Sequence, residues 1–250
     1  MKQILAIPAA GRGSRLNLDI PKIFTPIWKG KTVFDFITES LSPEIDQILL
    51  LLSPEGKTYF DSHIKGQAPK LIQVLVQESA TGMFDAVNQL VSHVLAMPDD
   101  VNLILQWGDQ PFCDAFLHEQ IFQDLRNHDA SVPLVWVENP YVQYQFGDDA
   151  VSVFEQREGE KVDAYGFKDM GIFGLKKSLL VNSWSRYALH AKAGKVTGEK
   201  NFVKYIGTLQ PEFRVFWRLD QPYYKSIGIN TPAELAEATL FVKQQQAAGL

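Results

Sequence analysis

The chain has 250 residues, a formal charge of -5 at pH 7, 46% apolar residues and 21% charged ones, enough to bury one sizeable core and to fold as a single domain over residues 1–250. A net negative balance offers no general attraction to nucleic acid or to an anionic membrane, and no apolar run approaches the ~18 residues of a membrane span, so neither is an expected partner. The single cysteine, Cys113, rules out an internal disulfide framework and a cysteine metal cluster, and fits a reducing, cytoplasmic compartment.

The opening "MKQILAIPAAG" has an apolar segment broken by Pro8 and too short for a signal-peptide core, so a first strand is expected there. Further short apolar runs, "DQILLLL", "LIQVLV" and "VNLILQW", alternate with helix-like segments over 32–41, 55–64 and 81–95. In the last of these, Phe84, Val87, Leu90, Val91 and Val94 recur at helical spacing. Such alternation predicts βαβ units feeding a buried parallel sheet. Asp114 is placed to cap a helix reaching residue 125, after which "ASVPLVWVE", "AVSVFEQ" and "GFKDMGIFGL" read as strands. A helix over 176–191, short strands at "FRVFWRL" and "YYKSI", and a terminal helix with Pro232 in its first turn complete the chain.

Chemistry concentrates first in "AAGRGSRLNLDIPK", directly after the first strand. A glycine-containing loop at a strand end exposes N–H groups without internal partners, and such donors form a concavity suited to phosphate oxygens. Gly11 and Gly13 allow close approach, and Arg12, Arg15 and Lys22 are the cations at hand. The loop has no G-x-x-x-x-G-K-[ST] pattern, and Leu16 stands where the third glycine of G-x-G-x-x-G would be, so a tight turn with solvated cations competes with a phosphate site. At the end of a buried strand, Asp109 in "GDQPF" is either an Asx-turn residue before Pro111 or a hard-oxygen metal ligand. Asn230 before "TPAEL" is either a helix N-cap or a second ligand. Lys31 and Lys225 carry no clear assignment. His63, His93, His118, His128 and His190 lack metal-ligand spacing and are expected to be structural or exposed, and Cys113 has no identifiable base.

With five residues between its arginine and Pro-Lys, the loop resembles the A-A-G-x-G-x-R…P-K signature of the nucleotidyltransferase (pyrophosphorylase) superfamily, including the sugar-1-phosphate nucleotidyltransferases. The resemblance extends to Gly108-Asp109-x-Pro111, to "QESATGMFDAV", which is similar to a base-contacting Q-x-x-G-T-G/A segment, and to Gly228-x-Asn230. It implies a Rossmann-like, three-layer α/β/α (GT-A-like) fold with a mixed, mainly parallel central sheet. It further implies a nucleoside triphosphate and a phosphorylated small molecule as substrates, pyrophosphate as product, and Mg²⁺ as cofactor. Carried over residue by residue, it places Ala9, Ala10, Gly11, Gly13, Gln77 and Gly82 on the nucleotide, Arg15 and Lys22 on the reacting phosphates, and Asp109 and Asn230 on magnesium. Glu155, closing a strand, and Asp169, in "KDMGIF" where the uridylyltransferases carry N-T-G-I, are the acceptor-facing candidates.

UTP with a sugar 1-phosphate is the expected pair. Pro8, which replaces the usual leucine and also occurs in cytidylyltransferases of isoprenoid synthesis, keeps a cytidylyltransferase for phosphocholine or a polyol phosphate as the alternative. A non-catalytic nucleotide-sugar-binding protein is the alternative of another class.

Overall fold

The computed structural model describes residues 1–11, 13–16, 18–79, 82–148 and 150–247. In chain order the elements are β1 (Lys2–Pro8), β2 (Pro26–Trp28), β3 (Lys31–Thr32), α1 (Val33–Glu39), β4 (Gln47–Leu52), α2 (Pro54–Tyr59) and β5 (Ile72–Val76). There follow α3 (Met83–Leu95), β6 (Val101–Gln106), α4 (Ala115–Asn127), β7 (Ala130–Glu138), β8 (Val142–Phe146) and β9 (Val151–Glu155). The chain ends with β10 (Tyr165–Asp169), β11 (Ile172–Lys176), α5 (Lys177–His190), α6 (Phe202–Gly207), β12 (Val215–Arg218) and α7 (Pro232–Ala247).

Ten strands form one sheet in the order β5-β4-β1-β6-β11-β7-β10-β8-β9, with β12 beside the first half of β7. The ladders from β5 to β6 are parallel, and β9, β10 and β11 run against the rest, so the sheet is mixed and mainly parallel as expected. The runs "ILAIP", "ILLLL" and "VNLILQ" are apolar without alternation because helices cover both faces. Within β1, Ile4 and Ala6 join the core under α3, α5 and α6, while Leu5 and Ile7 join the core under α1, α4 and α7. Three layers result.

Local signals explain where elements start. Thr32 and Asp35 form a reciprocal capping box at α1, Ser53 caps α2 ahead of Pro54, and the Asp114 carboxylate accepts from the Leu117 N–H at 2.9 Å to cap α4. The predicted apolar stripe of α3 is buried throughout at Phe84, Val87, Leu90, Val91 and Val94; the expected start at Thr81 lies outside the described residues. Two expectations are corrected. "YYKSI" is a 3₁₀ turn over Tyr223–Ser226 rather than a strand, because its backbone closes on itself through Lys225 N–H to Pro222 O rather than onto a neighbouring strand. "GFKDMGIFGL" is two strands, broken at Gly171, whose φ of 72° reverses the chain; a Cβ there would lie 2.6 Å from the Trp107 ring, so glycine is required twice over. The helix α6, the strand β8 and the β2–β3 hairpin had no signal strong enough to predict.

His63 and His190 are exposed, His93 and His128 half-buried, and His118 buried. His118 is fully buried on α4 with its Nε2 3.1 Å from Gln106 Oε1, and since the Gln106 amide donates to the Gln110 carbonyl, the histidine must be the donor. Burial lowers its pKa to about 4. The folded chain then holds a neutral ring at pH values where the unfolded chain takes up a proton, so stability falls as pH drops from about 6.5 to about 4, by about 3 kcal/mol in full. Urea unfolding at pH 4 and pH 6.5 should show His118→Gln losing less stability over this window than wild type by about that amount; parallel losses would remove His118 as the cause.

Candidate active site

The parallel strands end on one side of the sheet, and the segments leaving β1, β5 and β6 meet there. A cleft of about 310 Å³ opens between Pro8, Ala10 and Gly11 at the end of β1 and Gln77, Gly82 and Met83 from the end of β5 to the start of α3. Of the six nucleotide candidates, Ala10, Gly11, Gln77 and Gly82 therefore line one cavity. Gly82 holds a φ of 103° as the N-cap of α3, and the buried Gln77 amide reaches its carbonyl at 3.5 Å. Ala9 instead turns toward the fold: its N–H donates to Leu51 O, and its Cβ would meet a Cβ on Gly108 at 2.8 Å. Gly13 is required by an internal contact, since with φ at 63° a Cβ there would lie 3.0 Å from the Lys22 Cβ. Gly11 has nothing within 4 Å of the corresponding point. Arg15 is exposed on a 3₁₀ turn anchored by buried Leu16; Arg12 lies outside the described residues.

Lys22 opens a second 3₁₀ turn, after Pro21, that buries Ile23 and Phe24. Its Nζ donates to Asp109 Oδ2 at 2.5 Å and to Asn230 Oδ1 at 2.8 Å. Three predicted residues, separated by 87 and 208 positions, thus share one point. Asp109 leaves β6 fixed by backbone bonds from Ile229 N–H to its carbonyl at 2.9 Å and from Trp107 N–H to Gly171 O at 2.8 Å. Its Oδ1 is buried without a partner, so the side chain does not serve an Asx turn. Asn230 is likewise not the helix cap. Thr231 is, accepting from the Glu234 N–H, while the Glu234 carboxylate accepts from the Asn230 N–H at 3.0 Å, which leaves the Asn230 amide facing Lys22. One carboxylate and one amide oxygen face a single cation; among the described residues no group of three or more His, Cys, Asp and Glu is gathered for a metal.

Neither acceptor candidate is among the residues lining the cleft. Glu155 is buried at the end of β9, taking Asn201 Nδ2 and, at 3.5 Å, Arg157; burial raises its pKa, and the Arg157 charge opposes the rise. Asp169 is buried with Oδ1 accepting from the Gly171 N–H at 2.9 Å in the β10–β11 turn; burial again raises its pKa. Lys225, buried, ties α4 through Asp114 at 2.7 Å, and Lys31 pairs with Glu39 on the surface. The Cys113 thiol is buried and pushed up by that burial.

Sequence reasoning missed two site residues. Gln110 is wedged between Gly171 and Gly228, where a Cβ on Gly228 would lie 2.8 Å from its Nε2, so both glycines serve packing. Glu199 lines the cleft beside Gly82, on a loop held by Glu158, which accepts from the Val196 N–H at 2.9 Å. Neither had a signal, because each acquires its place from a segment remote in sequence.

Residues 5–171 match the MobA-like NTP transferase domain. The fold is similar to the crystal structure of 4-diphosphocytidyl-2C-methyl-D-erythritol synthase from Anaerococcus prevotii, with a TM-score of 0.67 at 17% identity over 97% of this chain and 98% of that one. It is also similar to HddC from Yersinia pseudotuberculosis, with a TM-score of 0.65 at 18% identity over 97% and 100%. Comparison with curated protein sequences gives no match. With two thirds of its length in that domain and the signature loop, Asp109 and Asn230 converging on Lys22, the chain belongs to the MobA-like NTP transferase family and is a nucleotidyltransferase.

Proposed function

We propose that the protein transfers a nucleoside monophosphate from a nucleoside triphosphate to the phosphate of a small-molecule acceptor and releases pyrophosphate, acting as one catalytic domain over 1–250. The observation that carries this reading is the Lys22 ammonium held between Asp109 and Asn230, with Gly13 of the glycine loop packed against the Lys22 stem. Phosphoryl-centre substitution needs positioning and charge neutralisation more than a protein nucleophile. In this reading the cleft holds the nucleoside, the Gly11 N–H and Arg15 meet the departing phosphates, and Lys22 exchanges its two internal acceptors for oxygens of the reacting phosphates.

Asp109 and Asn230 suit Mg²⁺ by their chemistry. Both are hard oxygen donors, magnesium takes only one or two carboxylates, and Asp109 Oδ1 is buried without a partner. Asp109 Oδ2 and Asn230 Oδ1 already hold a cation, the Lys22 ammonium. Bound magnesium would neutralise charge on the phosphate oxygens.

UTP with a sugar 1-phosphate is the first substrate pair of this proposal. CTP with an alcohol phosphate is the second, supported by Pro8 lining the cleft. Gly108 and Gly228 do not favour the first, since internal packing against Ala9 and Gln110 accounts for both glycines. Pyrophosphate release from four nucleoside triphosphates against a panel of phosphorylated acceptors tests the reaction and separates the pairs.

Asp109→Asn should lower turnover by about two orders of magnitude or more while leaving the melting temperature within a few degrees, because the loss is of charge at the reacting phosphates. Pyrophosphate release near the wild-type rate at saturating Mg²⁺ would take Asp109 out of the mechanism.

Gly13→Ala should act through Lys22. The positive φ costs about 1–2 kcal/mol, and the new methyl displaces the lysine stem, so stability and kcat should fall together. Unchanged kcat in a destabilised variant would show that the loop does not position Lys22.

A further inference from the structure

Lys168 lies on β10, one residue before the Asp169 turn. It is half-buried, its Nζ donates to the Ser226 carbonyl at 3.3 Å, and it stands 5.5 Å from the Tyr141 ring and 6.0 Å from the Tyr223 ring. Asp169, Glu234, Glu237 and Asp109 reach it only through their fields, and burial is the largest influence on it, lowering its pKa. Among the described residues this ammonium thus lies between two aromatic rings with one neutral oxygen for company, although its charge would be better served by an anion.

Ser226, Ile229 and Asn230 belong to one short segment that links the carbonyl on Lys168, the backbone bond to Asp109 and the amide on Lys22. In the sheet, the nucleotide cleft sits at β1 and β5, Asp109 leaves β6, and β10 lies on the far side of β6. A triphosphate seated in the cleft with its phosphates at Lys22 leaves the β10 flank to the second substrate.

We propose that Lys168 binds the acceptor and sets its charge class, taking an oxygen-rich sugar or polyol phosphate and disfavouring a cationic alcohol such as phosphocholine. A pair of tyrosine rings is where a quaternary ammonium would otherwise dock, and here the chain's own ammonium fills it, so a second cation meets like charge. The inference rests on the nucleotidyl-transfer reading and narrows its acceptor.

The test is calorimetric titration of glucose 1-phosphate, erythritol 4-phosphate and phosphocholine into wild type, Lys168→Met and Lys168→Arg, each saturated with non-transferable α,β-methylene analogues of UTP and CTP. A sugar or polyol phosphate should bind wild type more tightly than phosphocholine does, lose tenfold or more in Lys168→Met, and recover in part in Lys168→Arg. Equal affinity of the phosphates for wild type and Lys168→Met, tightest binding by phosphocholine, or no binding by any of the three overturns the proposal. Pyrophosphate release by the same proteins is read in parallel. Release with a Lys168-independent affinity sinks the Lys168 assignment alone, whereas Lys168-dependent binding without release from any pair sinks the nucleotidyl-transfer reading alone.

Discussion

The ammonium of Lys22, near the start of the chain, is held by a carboxylate from its middle and an amide oxygen from near its end, and the rest of the architecture serves to bring those atoms together. Lys22 depends on a 3₁₀ turn whose apolar residues sink into the core, Asp109 on the end of a central buried strand, and Asn230 on a helix capped by its neighbour Thr231. A short bond between half-buried opposite charges is worth more than a solvated surface pair. Its importance here is geometric, because it collects one positive charge and two oxygen ligands at the lysine on which the glycine loop packs.

Glycine carries much of the local precision, for three different reasons. Gly108, Gly171 and Gly228 let Ala9, Trp107 and Gln110 close up behind the site, and Gly13 lets the loop pass Lys22. Gly11, by contrast, has open space around its missing side chain on the wall of the cleft. A glycine-rich signature is thus partly a packing signature. Its value for identifying a site comes from the cations that the packing positions.

The central strands were legible because helices cover both faces, so composition alone marks them, and α3 was legible because its buried stripe repeats at helical spacing. "YYKSI" was misread since aromatic residues favour strands in general, whereas here Tyr224 stacks on Phe241 of α7 and the backbone turns. Lys22, Asp109 and Asn230 could be found from motif spacing. Gln110, Glu199 and Lys168 could not, since what gives each its place is a residue dozens of positions away. Asp169 shows the converse: the motif singled it out, and the fold commits one of its oxygens to the turn that it occupies.

If the Lys22 cluster is the reacting centre, the two products must appear together from one event at the α-phosphorus. Phosphorus NMR of the protein with Mg²⁺, UTP or CTP and a phosphorylated acceptor reads that event directly. The account predicts a new diphosphate-ester signal growing in step with free pyrophosphate, and neither signal in Lys22→Met. Orthophosphate and nucleoside diphosphate as the products, or an undiminished diphosphate ester in Lys22→Met, would contradict it.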